Sequence, residues 1–192
     1  MPKGEDTSER ILDAAQAMAQ KRGYNGVSYR DISQVVGVRT ASIHYHFASK
    51  EILFTALAER YRTTIMERLE EVSGEADDAL ARVKGFIEIF RGVLEVDDRM
   101  CLCGMLSAES SGVPDAVNVE VRAFFKVCED WLTEVLATGR EAREVRFTGA
   151  AGDRAKAFLA VLEGAMMVAH SFHDIGRFDT VASTVLDDIT PK

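Results

Sequence analysis

Apolar residues recur along this chain at intervals of three and four, the spacing that lines one face of an α-helix, and runs that alternate every second residue are almost absent. Ile11, Leu12, Ala15 and Met18 or Ala19 make the first such face. Asp6, with Glu9 three positions on, resembles a capping box ahead of it, and Lys21-Arg22-Gly23 supplies a cationic last turn and a glycine stop. Ser28 then caps a short helix, "YRDISQVVG", whose Ile32, Val35 and Val36 form one face and whose Gly37 permits the positive φ of a tight turn. A third short helix turns Ile43 and Phe47, four apart, inward. Ser49 opens a longer fourth through Ile52, Leu53, Ala56, Leu57, Ile65 and Leu69, which Ser73-Gly74 should end.

Beyond residue 75 the segments lengthen. Ala79 to Val96, with Leu80, Val83, Phe86, Ile87, Phe90 and Leu94, is strongly periodic; "CLCGMLSAES" reads as a shorter helix; Pro114 begins another that runs to Gly139. The stretch 140 to 152, "REAREVRFTGAAG", is the most loop-like in the chain. Arg154 to Asp174 is apolar on more than one face, and Phe178 to Ile189 closes the chain with a last helix. The pattern predicts an all-α protein with a small N-terminal helical module, residues 1–50, and a larger helical domain, residues 51–192.

Composition adds that 192 residues at 47% hydrophobic content can supply a core, so disorder is excluded as a class. The start, "MPKGEDTSER", has no apolar h-region, and no stretch reaches the roughly 18 uninterrupted apolar residues of a membrane helix. A soluble, cytoplasmic protein with no membrane partner is the expectation. Cys101, Cys103 and Cys128 are odd in number and read as reduced thiols. The net charge of −8 is unevenly spread: residues 1 to 50 hold seven Lys and Arg against five Asp and Glu, a balance of +2, which leaves −10 for the rest. One end can approach a polyanion that the remainder would repel.

That end holds "VRTASIHYHFASKEILF", residues 38 to 54. Two short helices joined at Gly37, with a small residue at Ser33 and Ile32, Val36, Val38 and Ile43 between them, have the layout of a helix-turn-helix. The second projects Arg39, Thr40, Ser42, His44, Tyr45 and His46 from its non-core positions, groups that can donate to phosphates, stack, or touch base edges in a major groove. Each alone reads as a solvated side chain; six on one short helix, between a glycine turn and Lys50, read as a DNA-contacting face.

"GYNGVSYRDISQVVGV" followed by "SIHYHFASKEIL" resembles the DNA-binding domain of TetR-type bacterial transcriptional regulators. The resemblance implies a homodimeric repressor of about nine helices, bound to a pseudo-palindromic double-stranded DNA operator. Its larger domain would take a small-molecule effector that changes the spacing of two reading heads. It also implies that Thr40, Ala41 and Ser42 face bases while Tyr45, His46 and Lys50 touch the DNA backbone, Lys50 near a helix N-terminus that suits phosphate. Arg39 stands where a capping serine or threonine is common, so that either Thr40 takes the cap or Arg39 adds a contact; His44 stands where tyrosine is frequent, which opens a pH dependence. Tyr29 is placed to reach the backbone as well.

In the larger domain Phe86, Phe90, Met100, Met105, Phe124, Phe125 and Trp131 are candidates to line an apolar effector cavity, with simple core packing as the alternative for each. "FLAVLEGAMMVAHSF", with small Ala160, Gly164, Ala165 and Ala169, is too apolar for a monomer's surface and, with the last helix, resembles the family's dimerising bundle. Cys101 and Cys103 are candidates for redox or electrophile sensing, since Cys101 begins a predicted helix; buried inert thiols are the alternative. His170 and His173, one turn apart beside Asp174, read as a helix-end or interface pair rather than a metal site. The acidic pairs at 77, 97 and 187 read as caps and solvated ends. There is no Gly-rich phosphate loop, no H-E-x-x-H and no nucleophile elbow, so neither an enzyme nor a cofactor is expected. A helical carrier that has lost DNA binding is the competing class.

Overall fold

The computed structural model describes residues 3–191, with side chains from residue 7 onward. Among the described residues there are nine α-helices, one 3₁₀ turn and no strand. They are α1 (Lys3–Arg22), α2 (Tyr29–Val36), α3 (Thr40–His46), α4 (Lys50–Glu75), α5 (Ala79–Glu95), α6 (Leu102–Ala108), the 3₁₀ turn Ser110–Gly112, α7 (Asp115–Glu141), α8 (Ala151–Phe172) and α9 (Ile175–Asp187). The capping box read at Asp6 and Glu9 involves a side chain outside the described residues.

The chain forms two compact units, the first made of the stretch to Thr63 with Leu102–Phe124, the second of Thr64–Cys101 with the chain from Phe125 onward. In the first, Ile11, Ala15, Ile32, Ile43, Leu53, Phe54 and Leu57 are buried together with Leu102 and Leu106 of α6, which rests on α1. Each of the leucines, isoleucines and phenylalanines among them contributes on the order of 1.5–3 kcal/mol by leaving water. Tyr24 meets Phe54 edge-on at 4.7 Å, and Arg60 holds Glu9 at 2.8 Å, Asp13 at 2.9 Å and Gln16 at 3.0 Å, pinning the start of α4 to α1. Two residues expected inside are outside: Val35 is 67% exposed, and Ile52 is exposed as well. A helix as short as α2, packed on one side, buries a stripe only one residue wide, here Ile32 and Val36.

In the second unit, Phe86, Ile87, Phe90 and Leu94 of α5 are buried with Leu159, Leu162 and Met166 of α8 and Phe178 and Ala182 of α9, on which α5 packs, and Leu132 and Leu136 of α7 are buried in the same unit. The sequence expectation ended α7 at Gly139, but the helix continues to Glu141. A Cβ at Gly139 would collide with that of Ala79, so this glycine serves the close approach of α7 to the first turn of α5. Of the three acidic pairs, the first supplies a cap: Asp78 accepts from the Ala81 amide at 2.7 Å. Asp97 and Asp98 instead adopt positive φ.

α8 and α9 form a hairpin, turned by His173 at φ 51° and capped at α9 by Asp174, which accepts from the Gly176 amide at 3.0 Å. α8 is long and apolar enough to cross a membrane by length and composition, and less than half of it is buried. Its two faces explain this. Ala165 and Ala169, read from sequence as part of a close-approach surface, point into the core, Ala165 at 6% exposure. Val161, Gly164, Met167, Val168 and Phe172 line the opposite, open face, with Met167 at 56% and Phe172 at 59%.

Candidate nucleic-acid interface

The reading head is built by two local devices. Ser28 closes a capping box with Asp31: its hydroxyl accepts from the Asp31 amide at 3.2 Å while the Asp31 carboxylate accepts from the Ser28 amide at 3.1 Å. The hydrogen bonds from Ser28 hold the Asp31 carboxyl below its ordinary range, with nearby Arg22 and Arg30 acting in the same direction. Gly37 then ends α2 in the left-handed region, φ 74°, its amide donating to the Ser33 carbonyl at 3.0 Å. A Cβ there would meet nothing, so the glycine is required by its backbone angle alone.

Arg39 follows as the N-cap of α3, extended and without a side-chain cap, and the Ser42 amide donates to its carbonyl at 2.8 Å. Thr40 therefore begins the helix rather than capping it. Ile43 and Phe47 anchor α3 inward, and the other faces remain open. Arg39, Thr40, Ala41, His44 and Tyr45 are exposed, Tyr45 at 84%, and Ser42 and His46 are half-buried. Tyr45 and His46 meet edge-on at 5.2 Å. The His44 Nδ1 lies 3.4 Å from the Ala48 carbonyl, so its position is tied to the α3–α4 turn.

Tyr29 serves α3 more than solvent. Its hydroxyl donates to the Phe47 carbonyl at 2.9 Å and its ring lies against His44 at 4.7 Å, bracing the end of the reading helix. Burial pushes its phenol up to about 12. Lys50 is half-buried: its ammonium sits over the Tyr24 ring at 4.2 Å and near Phe54 at 5.7 Å. Burial lowers its pKa, and the charge of Glu109 works against that shift. Sequence reasoning passed over Glu109, because nothing local ties residue 109 to residue 50.

In the second unit Phe86 and Phe90 are buried 5.0 Å apart, and Trp131 stacks on Phe86 at 5.7 Å while its indole N–H donates to the Ser73 hydroxyl at 2.9 Å. Met100 is buried and Phe125 half-buried in this unit. Met105 and Phe124 belong to the first unit, where Phe124 packs on Tyr61 at 5.4 Å. The seven aromatic and methionine candidates therefore do not gather in one unit.

A further polar group lies in the second unit. Glu163 is half-buried as a residue, yet both carboxylate oxygens are buried, with the Cys101 thiol as their hydrogen-bonding neighbour. Desolvation pushes this carboxyl up to about 7, moderated by the Cys101 thiol beside it. The sequence signal was available: Glu163 is the lone acid in "FLAVLEGAMMVAHSF", and it follows Leu159 by four residues and precedes Met166 by three, both buried. Cys101 and Cys103 are buried, and Cys101 neighbours an acid rather than the cationic group that activates a thiol. Burial, aided by Glu163 and Glu129, drives the Cys128 thiol far upward. His170 and His173 converge not on Asp174 but on Asp98, whose carboxylate lies 3.3 Å from the His170 Nδ1 and 2.6 Å from the His173 Nδ1. Among the described residues no cluster of three or more His, Cys, Asp or Glu could hold a metal ion.

The sequence profile described as "Bacterial regulatory proteins, tetR family" matches residues 11–57, from the buried face of α1 into α4. A solved TetR-family transcriptional regulator from Agrobacterium tumefaciens is 35% identical, superposes with a TM-score of 0.95, and is matched over 98% of this chain and 100% of its own. Among curated relatives, a nucleoid occlusion factor, SlmA, from a Marinomonas species is 23% identical over 84% of this chain and 82% of its own length. The transcriptional repressor DhaR from a Mycobacterium species is 24% identical over 96% of this chain and 92% of its own.

Proposed function

The chain belongs to the TetR family of bacterial helix-turn-helix transcriptional regulators, and from that premise we propose that it is a ligand-responsive repressor. It binds a pseudo-palindromic operator as a homodimer through α3 of each protomer and leaves the DNA when a small molecule occupies the second unit. The observation that carries the reading is the exposed face of α3, where Arg39, Thr40, His44 and Tyr45 stand clear of a helix anchored by Ile43 and Phe47. Arg39 and Tyr45 position the head on phosphates, and Thr40, Ala41 and Ser42 read base edges. Tyr29 holds α3 at the angle that presents them. Dimerisation through the open face of α8, with α9, doubles the contact surface and sets the half-site spacing. The polar group of the effector site is Glu163, beside Cys101 and Cys128 in the second unit. The protein works in the cytoplasm, without a cofactor and without a catalytic step.

The test is a salt titration of the purified protein on DNA from beside its own gene and on a random duplex of equal length. Arg39→Ala is expected to weaken binding to both and to flatten the dependence of log affinity on log salt by about one phosphate contact per protomer. Thr40→Ala is expected to cost about 1–3 kcal/mol on the operator alone and to leave the slope unchanged. If Arg39→Ala altered neither affinity nor slope, α3 would not be the DNA-reading surface.

A further inference from the structure

Glu109, immediately after α6, reaches across the first unit to the turn that follows α1. One carboxylate oxygen, Oε2, accepts from both the backbone amide and the side-chain amide of Asn25, each at 2.9 Å, across 84 residues of chain. The other oxygen occupies the space beside Gly23, where an added Cβ would collide with it. Gly23 is itself left-handed, at φ 70°, so turn and carboxylate are shaped to each other. The same negative charge acts on Lys50, which lies back on the Tyr24 ring next to that turn. Residues 1–50 carry only +2, so one acid imported from residue 109 removes a large share of their attraction for a polyanion.

We propose that Glu109 is an internal stand-in for a DNA phosphate: in the DNA-free protein it holds Lys50 on Tyr24 and tethers the α1–α2 turn through Asn25, and on binding, Lys50 exchanges this carboxylate for a backbone phosphate. Glu109 is thus a positioning residue that restrains the affinity of the reading head for DNA of any sequence. Because it closes α6, displacement of α6 tightens or loosens that restraint. The proposal rests on the reading of α3 and the start of α4 as the DNA-contacting surface.

The exchange has a measurable consequence. When Lys50 leaves one carboxylate for one phosphate, the cation released from DNA is partly offset by a cation recruited to Glu109, so the salt dependence is shallower than the number of phosphate contacts implies. Glu109→Gln keeps an oxygen to accept from Asn25 and removes the charge. On a random duplex it is expected to bind roughly three- to tenfold more tightly than wild type, with a salt slope steeper by up to about one per protomer. In a Lys50→Ala background the same substitution is expected to lose its effect on slope, because no cation remains to be exchanged. A purely structural tether predicts the reverse, with weaker binding, a lower melting temperature and an unchanged slope; that result, or a slope change that persists without Lys50, would overturn the proposal. If Lys50→Ala and Arg39→Ala both left duplex binding unaltered, the DNA-interface reading itself would fail, and the exchange with it.

Discussion

A monomer that no longer holds its operator is the expected product of Val168→Asp. Val168 stands on the open face of α8 with Val161, Gly164, Met167 and Phe172, and a largely apolar cleft between α8 and α9 is lined by Gly164, Ala165, Val168, Arg177, Thr180 and Val181. The open-face positions are exposed in the protomer, Phe172 with the Arg177 guanidinium 3.7 Å over its ring, whereas the buried face of the same helix is already satisfied by α5 and α9. A two-fold interface repeats the substitution, so two like charges would be desolvated at one contact, at a cost of several kcal/mol. One reading head buries too little surface for specific binding, and the operator affinity is expected to fall by about a hundredfold or more. Sedimentation velocity reads the oligomer, and a duplex-binding assay reads the consequence. A Val168→Asp protein that sediments as a stable dimer would remove α8 from the interface. Ala165 is a poor place for this test, since a charge there enters the protomer's own core and would unfold it first.

The second large effect concerns Glu163 and pH. Its folded carboxyl titrates at about 7, against an ordinary 4.5. The native state therefore binds a proton that the unfolded chain has already lost between those two values, and stability falls as pH rises through that window. Below pH 4.5 the group contributes no difference; above about 7 the burial of its charge costs roughly 3 kcal/mol in full. Glu163→Gln is expected to leave stability at pH 5 nearly unchanged, to raise it at pH 8 by about 1–2 kcal/mol, and to flatten the profile between. The gain is less than the full cost because the amide keeps buried polar atoms of its own. Denaturant unfolding at fixed protein concentration, at pH 5 and pH 8, measures both numbers. Equal destabilisation of the variant at both pH values would show that the carboxylate has a partner that offsets its burial.

The local grammar of the chain accounts for most of the helices and for the form of the reading head. The cap at Ser28, the left-handed turn at Gly37 and the inward pair Ile43 and Phe47 each depend on residues within four or five positions of one another, and all stand where periodicity put them. Periodicity also predicted the long apolar helix at 154 to 174, found as Ala151–Phe172.

What the sequence could not decide were matters set by distant neighbours. Gly139 reads as a stop until α5 is seen packed against it, and Asp174 looks like the partner of His173 until Asp98 is brought in from 75 residues away. Val35 and Ala165 are both apolar on apolar helices, and only the packing of those helices determines that the first is bare and the second covered. Glu109 is an unremarkable acid in sequence and touches Asn25 only because α6 rests on α1. The sequence by itself determined backbone conformation and amphipathic faces, because torsional preferences, caps and side-chain spacing act within a turn or two. The tertiary structure decided which face meets which partner, and where a charge is desolvated or opposed, because burial and Coulomb energy depend on distance through space and not along the chain.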